Sequence, residues 1–160
     1  MLVDIVYKNW PDIIYLKYNN CKVNDKLFKE YKQSIKELIA KINKFKTKNN
    51  SDIFIVLNAT NIGKIDLKYA DKQQKFYDYI IKNIVNNIKY IFIIIKNEPL
   101  KMLINFYMTT KYKKYKKIFS IHKNKESVQK KLNEFLHKKS IQQSNNCLLY
   151  TSDAADEEDS

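Results

Sequence analysis

Apolar residues recur at Leu27, Tyr31, Ile35, Leu38, Ile42 and Phe45, a three-and-four spacing that predicts a helix from about Asn24 to Phe45 with one buried stripe. Asn24 is suited to cap its first turn. Upstream, IIYLKY from Ile13 to Tyr18 is β-branched and aromatic. LVDIVY precedes it, and the Asn9-Trp10-Pro11-Asp12 punctuation between the two predicts an antiparallel hairpin. Ser51 and Asp52 lead into IFIVL, a continuous apolar run too short for a helix, as expected of a strand covered on both faces. Leu67 to Asn87 reads as a second helix with Phe76, Tyr77, Ile80, Ile81 and Ile84 inward, and YIFIIIK follows as a strand. Glu98 and Pro99 suit the first turn of a third helix, whose expected buried stripe is Leu100, Leu103, Ile104 and Tyr107. IFSI at 118–121 is a short strand, and Asn124 with Glu126 opens a last helix carrying Val128, Leu132, Phe135 and Leu136.

The order ββαβαβαβα predicts one α/β domain over 1–139. Its mixed, mostly parallel sheet of about five strands is joined by right-handed crossovers and carries a hairpin at one edge. Residues 140–160 read as a disordered tail.

Composition changes the picture in two places. The chain has 160 residues, 44% of them apolar, enough for one domain with a real core. All 30 basic residues are lysine, and the net charge is +13. Such a charge points toward polyanions, but the lack of arginine, the preferred bidentate partner of bases and phosphates, argues for coding bias in an A+T-rich genome. The last fourteen residues, CLLYTSDAADEEDS, share neither the lysine nor the isoleucine bias. Up to Glu157 they resemble translated sequencing-adapter read-through, so they are set aside and the natural C-terminus is expected to be missing. Without Asp153, Asp156, Glu157, Glu158 and Asp159, the remainder carries 30 lysines against 12 acidic residues, a net of +18. Setting Cys147 aside leaves Cys21 alone, so no disulfide framework is expected. With no signal-peptide pattern at the N-terminus, a reducing, cytoplasmic location is the economical expectation.

Gly63, the one glycine, lies in IVLNATNIGKID between the third predicted strand and the second helix. A phosphate cradle needs several glycines, and NIGKID offers one glycine and Lys64. A turn residue of positive φ, with Asp66 capping the helix, accounts for both without a ligand. The strand order, the hairpin start and IVLNATNIGKID followed by a helix resemble the STAS domain, the fold of bacterial anti-sigma-factor antagonists. Leu57, Asn58, Ala59 and Thr60 match the family's strand-end segment, with Asn in place of Asp, and Ile65 and Asp66 match its Ile-Asp pair. Where the family carries its phosphoacceptor serine, this chain has Leu67, Lys68 and Tyr69. The resemblance therefore implies a non-catalytic, regulatory protein-interaction module without the serine switch. Its partner would be another protein, met by the loop Asn58, Thr60, Asn61, Gly63, Lys64, Asp66 and Lys68. Thr60 is the nearest hydroxyl.

No acid–base pair, nucleophile triad, cofactor motif or metal-ligand spacing is visible, and no enzymatic activity is expected. His122 and His137 have no carboxylate or cysteine at ligand spacing. Glu30 and Glu37, interleaved with Lys32 and Lys36, read as a solvated face. The alternative function is electrostatic binding of nucleic acid or anionic membrane through TTKYKKYKKIF, by Lys111, Tyr112, Lys113, Lys114, Tyr115, Lys116 and Lys117. By analogy with lipid-carrying CRAL-TRIO domains, an acyl ligand would require an apolar cavity beneath the third helix, around Leu103 and Tyr107.

Overall fold

The computed structural model describes residues 2–8, 12–19, 22–48, 51–62 and 67–146. The elements follow the predicted order: β1 (Val3–Lys8), β2 (Ile13–Tyr18), α1 (Asp25–Lys48), β3 (Phe54–Asn58), α2 (Leu67–Ile84), β4 (Tyr90–Ile94), α3 (Glu98–Thr109), β5 (Phe119–His122) and α4 (Lys125–Asn146). Short 3₁₀ segments, Val85–Asn87 and Lys113–Ile118, end α2 and precede β5. By their contacts, Met1–Lys123 form one unit holding the sheet and α1–α3, and Asn124–Ser160 form a second holding α4.

The five strands lie in the order β1-β2-β3-β4-β5, with β1 antiparallel to β2 and the rest parallel. The sheet therefore grows in one direction. Right-handed crossovers that always step the same way put every connecting helix on the same face. The apolar cluster agrees with this. Ile14, Ile55 and Ile91 share one row, and Leu16, Leu57, Ile93 and Ile121 share the next. These residues join Phe28, Tyr31, Ile35, Leu38 and Ile42 of α1, Phe76 and Ile84 of α2, and Leu100 and Ile104 of α3 in one apolar cluster.

The opposite rows of β3 and β4 are buried as well: Phe54, Val56, Phe92 and Ile94 are 5% exposed or less. IFIVL and YIFIII are continuous rather than alternating because neither face of those strands meets water. β1 and β2 lie toward one edge, and there Val6 and Lys17 are exposed.

Helix α1 starts where Asn24 places its Oδ1 2.8 Å from the Leu27 amide. Helix α3 starts in the same way, with Asn97 accepting from the Leu100 amide at 3.0 Å and proline in the first turn. The stripe of α1 is wider than expected, since Phe28 and Ile39 are also buried. On α2, Phe76 and Ile84 are buried and Tyr77, Ile80 and Ile81 half-buried, while Tyr69, outside the expected stripe, is buried too. In the second unit, Asn124 caps α4 through the Ser127 amide at 2.9 Å. Val128 and Leu132 are buried there and Leu136 is exposed, and the helix continues past Ser140 to Asn146.

Polar atoms in the core are paired. The Tyr18 and Tyr31 hydroxyls lie 2.7 Å apart, and Gln73 donates to Tyr31 at 3.3 Å. Burial pushes both phenols above the ordinary tyrosine range, so they act as neutral hydrogen-bonding groups at any physiological pH. Replacing Tyr31 by Phe leaves the surrounding packing intact but removes this link between β2, α1 and α2. The expected loss is about 1–2 kcal/mol in urea unfolding, against no measurable loss for Tyr79→Phe at an exposed position. Equal midpoints for the two variants would show that the buried hydroxyl pair contributes nothing.

Candidate functional site

The strand-to-helix connection after β3 is built on Asn58, which is buried. Its amide nitrogen donates to the Tyr15 hydroxyl at 2.7 Å. Its Oδ1 accepts from both the Thr60 amide at 3.1 Å and the Thr60 hydroxyl at 2.7 Å. This is an Asx turn, closed further by the Ile62 amide on the Ala59 carbonyl at 3.2 Å. The Asn58 side chain and the Thr60 hydroxyl are thus occupied within the fold, while Asn61 is exposed. Gly63, Lys64 and Asp66, with Ile65, lie outside the described residues. Lys68 is exposed, its Nζ 5.5 Å from the Tyr69 ring centroid.

The lysine–tyrosine stretch divides into two parts. Lys111 pairs with Asp78 of α2 at 2.8 Å, and the buried Tyr112 hydroxyl donates to the same carboxylate while accepting from Gln74 at 2.9 Å. These two residues fasten the end of α3 to α2. Lys113, Lys114, Lys116 and Lys117 are exposed on the 3₁₀ segment, with Lys114 lying over the Tyr115 ring at 4.9 Å. TTKYKKYKKIF is therefore half anchor and half basic surface.

Among the described residues no group of three or more His, Cys, Asp or Glu is placed to hold a metal. His122 is buried at the end of β5, with Nε2 2.5 Å from Ser120 Oγ and its ring 5.8 Å from Phe92. A sheet that steps in one direction also has no point where neighbouring parallel strands send their connections to opposite faces, so the usual crevice of doubly wound folds is missing. No described helix is long and apolar enough to cross a membrane.

Two surfaces that the sequence did not single out stand out instead. On α3, Leu103 is not part of the buried stripe. It is 37% exposed beside Met102 at 69% and Phe106 at 59%, and Pro99 is exposed on the same side. Positions 99, 102, 103 and 106 are one helical stripe, and Leu100, Ile104 and Met108 are another. The helix is apolar on two sides and covered on one. The outward position of Leu103 also removes it from any cavity beneath α3.

The second surface is a groove of about 600 Å³ between α1 and α2. Lys29, Lys32 and Lys36 line it from α1, and Lys72 and Lys75 from α2, with Phe28, Phe76 and Tyr79 between the two rows. Asp25 accepts from the Tyr69 hydroxyl at 2.8 Å; that bond, helped by Lys68, holds its carboxyl below the usual range.

No protein-family model, curated protein or solved structure matches the chain.

The anchor at Asp78 has a pH signature. Burial raises its pKa, but bonds from Lys111 and Tyr112 outweigh that and leave it below the ordinary 3.8. A depressed folded-state pKa contributes stability that is full above the unfolded value and is lost as pH falls through the folded value. The stability gap between the wild type and Asp78→Asn is therefore expected to hold steady near neutrality and to shrink below the ordinary carboxylate range, as read by urea unfolding across pH. A gap independent of pH would show that the anchor does not depend on the charge of Asp78.

Proposed function

We propose that the chain is a non-catalytic protein-interaction module, STAS-like in layout and working without the phosphoserine switch. The observation that carries this reading is the second apolar stripe of α3. Single exposed apolar residues are ordinary on any protein surface. Pro99, Met102, Leu103 and Phe106 are instead contiguous, at the i, i+3, i+4, i+7 spacing by which a helix docks into a partner's groove. Leaving Met102 and Phe106 in water forgoes about 1.5–3 kcal/mol each relative to full burial. Support for the STAS-like layout comes from the edge hairpin, the stepwise strand order and the Asx turn that follows β3 at Asn58.

The test is a double substitution, Met102→Lys with Phe106→Lys, in the full chain expressed in its source cells. Thermal unfolding is expected to be unchanged or slightly raised, because both side chains are solvent-facing. Cross-linking followed by mass spectrometry should lose the partner captured by the wild type. An identical cross-linked set for the two proteins would remove α3 from the interaction.

A second reading, electrostatic binding of nucleic acid or anionic membrane, is favoured by the four lysines exposed on the 3₁₀ segment. Affinity for duplex or single-stranded DNA, or for anionic vesicles, should then fall steeply with salt. Lys113, Lys114, Lys116 and Lys117 changed together to Gln should flatten the slope. Binding that the substitutions leave unchanged would show that this segment is not the site.

A further inference from the structure

The groove between α1 and α2 has a composition that neither the α3 stripe nor the 3₁₀ segment explains. Its α1 side carries Lys29, Lys32 and Lys36 at i, i+3 and i+7, a row about 10 Å long. The α2 side carries Lys72 and Lys75, one turn apart. The two α1 glutamates are not part of it, because Glu30 and Glu37 lie about a quarter-turn or more round the helix from that row. Asp25, at the first turn of α1, does line the groove, but its carboxylate accepts from the Tyr69 hydroxyl and lies near Lys68, so along the rest of α1 the cations face the groove and the glutamates face away. Between the rows the floor is aromatic, and Tyr79 stacks on Phe76 at 5.9 Å with the rings 9° from parallel. Lys32 Nζ is 5.1 Å from the Phe28 centroid and Lys36 Nζ 5.7 Å from that of Tyr79, so their alkyl stems extend the apolar floor upward.

We propose that this groove is a docking site for an acidic amphipathic helix, which would lay its apolar stripe on Tyr79 and the lysine stems while its flanking carboxylates meet the two lysine rows. Two rows of like charge with an apolar strip between them complement a helix with one apolar stripe edged by Asp and Glu on both sides. A nucleic-acid strand fits less well. Phe28 and Phe76 are 4% and 5% exposed and offer no ring face for a base to stack on, and the rim has no arginine for bidentate phosphate contacts. A second copy of the chain does not supply the occupant through α3, because that stripe is edged by one carboxylate, Glu98, and a cation, Lys101, rather than by carboxylates on both sides. The proposal extends the protein-binding reading to a second surface and names the chemistry of its partner.

The experiment titrates the full chain with a fluorescein-labelled helical peptide carrying one leucine stripe flanked by glutamates, read by anisotropy at physiological salt. A Lys29→Glu, Lys75→Glu variant reverses one charge on each wall at exposed positions and should weaken binding about tenfold or more. A Lys113→Glu, Lys116→Glu variant should change it less than about twofold, as should Met102→Lys with Phe106→Lys. Equal weakening by the two charge-reversed pairs would mean diffuse attraction to net charge and would overturn the proposal. So would undiminished binding of a peptide whose leucines are replaced by serine, or tighter binding of a single-stranded oligonucleotide lost in the same groove variant. Loss on changing α3 alone would move peptide binding to α3, overturning the groove while sparing the protein-binding reading. Matching melting temperatures for all variants exclude unfolding as the cause of any loss.

Discussion

The rest of the structure depends on one geometric constraint: the parallel strands are added in a single direction, β2 to β5, by right-handed crossovers. Each crossover then has to pass on the same side, and α1, α2 and α3 stand next to one another on one face of the sheet. That face must be filled by side chains from both layers. This is why one cluster runs from Val3 on the edge strand through Tyr31 and Ile42 to Ile91 and Ile95. The same constraint places α1 against α2, where the groove forms. It also removes the switch-point crevice in which open α/β sheets usually bind small molecules, and leaves α1, α2 and α3 as the layer outside that face.

Polar groups hold that helical layer in register. Tyr18, Tyr31 and Gln73 connect β2, α1 and α2 inside the core, Tyr69 reaches Asp25 across the mouth of the groove, and Asp78 receives Lys111 and Tyr112 from the far end of α3. The last of these ties answers part of the question raised by the lysine-rich stretch. Lys111 and Tyr112 belong to the packing of the fold, and the basic surface begins after them, where the chain tightens into a 3₁₀ segment.

Most of the fold was legible in the sequence because strands and helices here follow strict apolar periods. The two-sided burial of β3 and β4 showed as unbroken runs, and the caps at Asn24 and Asn124 showed as polar residues before periodic segments. The misreadings share a cause. Leu103 was assigned to the buried stripe of α3, yet that helix carries apolar residues almost all round, and its period does not say which side faces the sheet. Phe28 and Ile39 were missed on α1 because a helix packed against both a sheet and a neighbouring helix buries more than one stripe. The groove was invisible for a different reason. It is made of residues on two helices about forty positions apart, and each row of lysines alone looks like any solvated face. Nothing in a single helix's pattern announces that two such rows will face each other.

The lysines deserve a physical account apart from their number, since coding bias explains their abundance but not their placement. Several lie over aromatic rings: Lys41 over Tyr7 at 3.9 Å, Lys32 over Phe28, Lys72 over Tyr69 and Lys114 over Tyr115. In each pair the ammonium lies over the ring face, where the ring's electron-rich surface attracts the cation and the lysine side chain covers apolar ring area. The same arrangement sets the style of recognition open to the groove. An ammonium is a hydrated point charge on a flexible stem, without the planar fork that fixes a carboxylate or phosphate in one orientation. A wall of lysines therefore attracts and orients an acidic partner through its field. Register must come from the apolar floor, so discrimination among acidic helices at this site rests on how their apolar stripe fits Tyr79 and the stems around it.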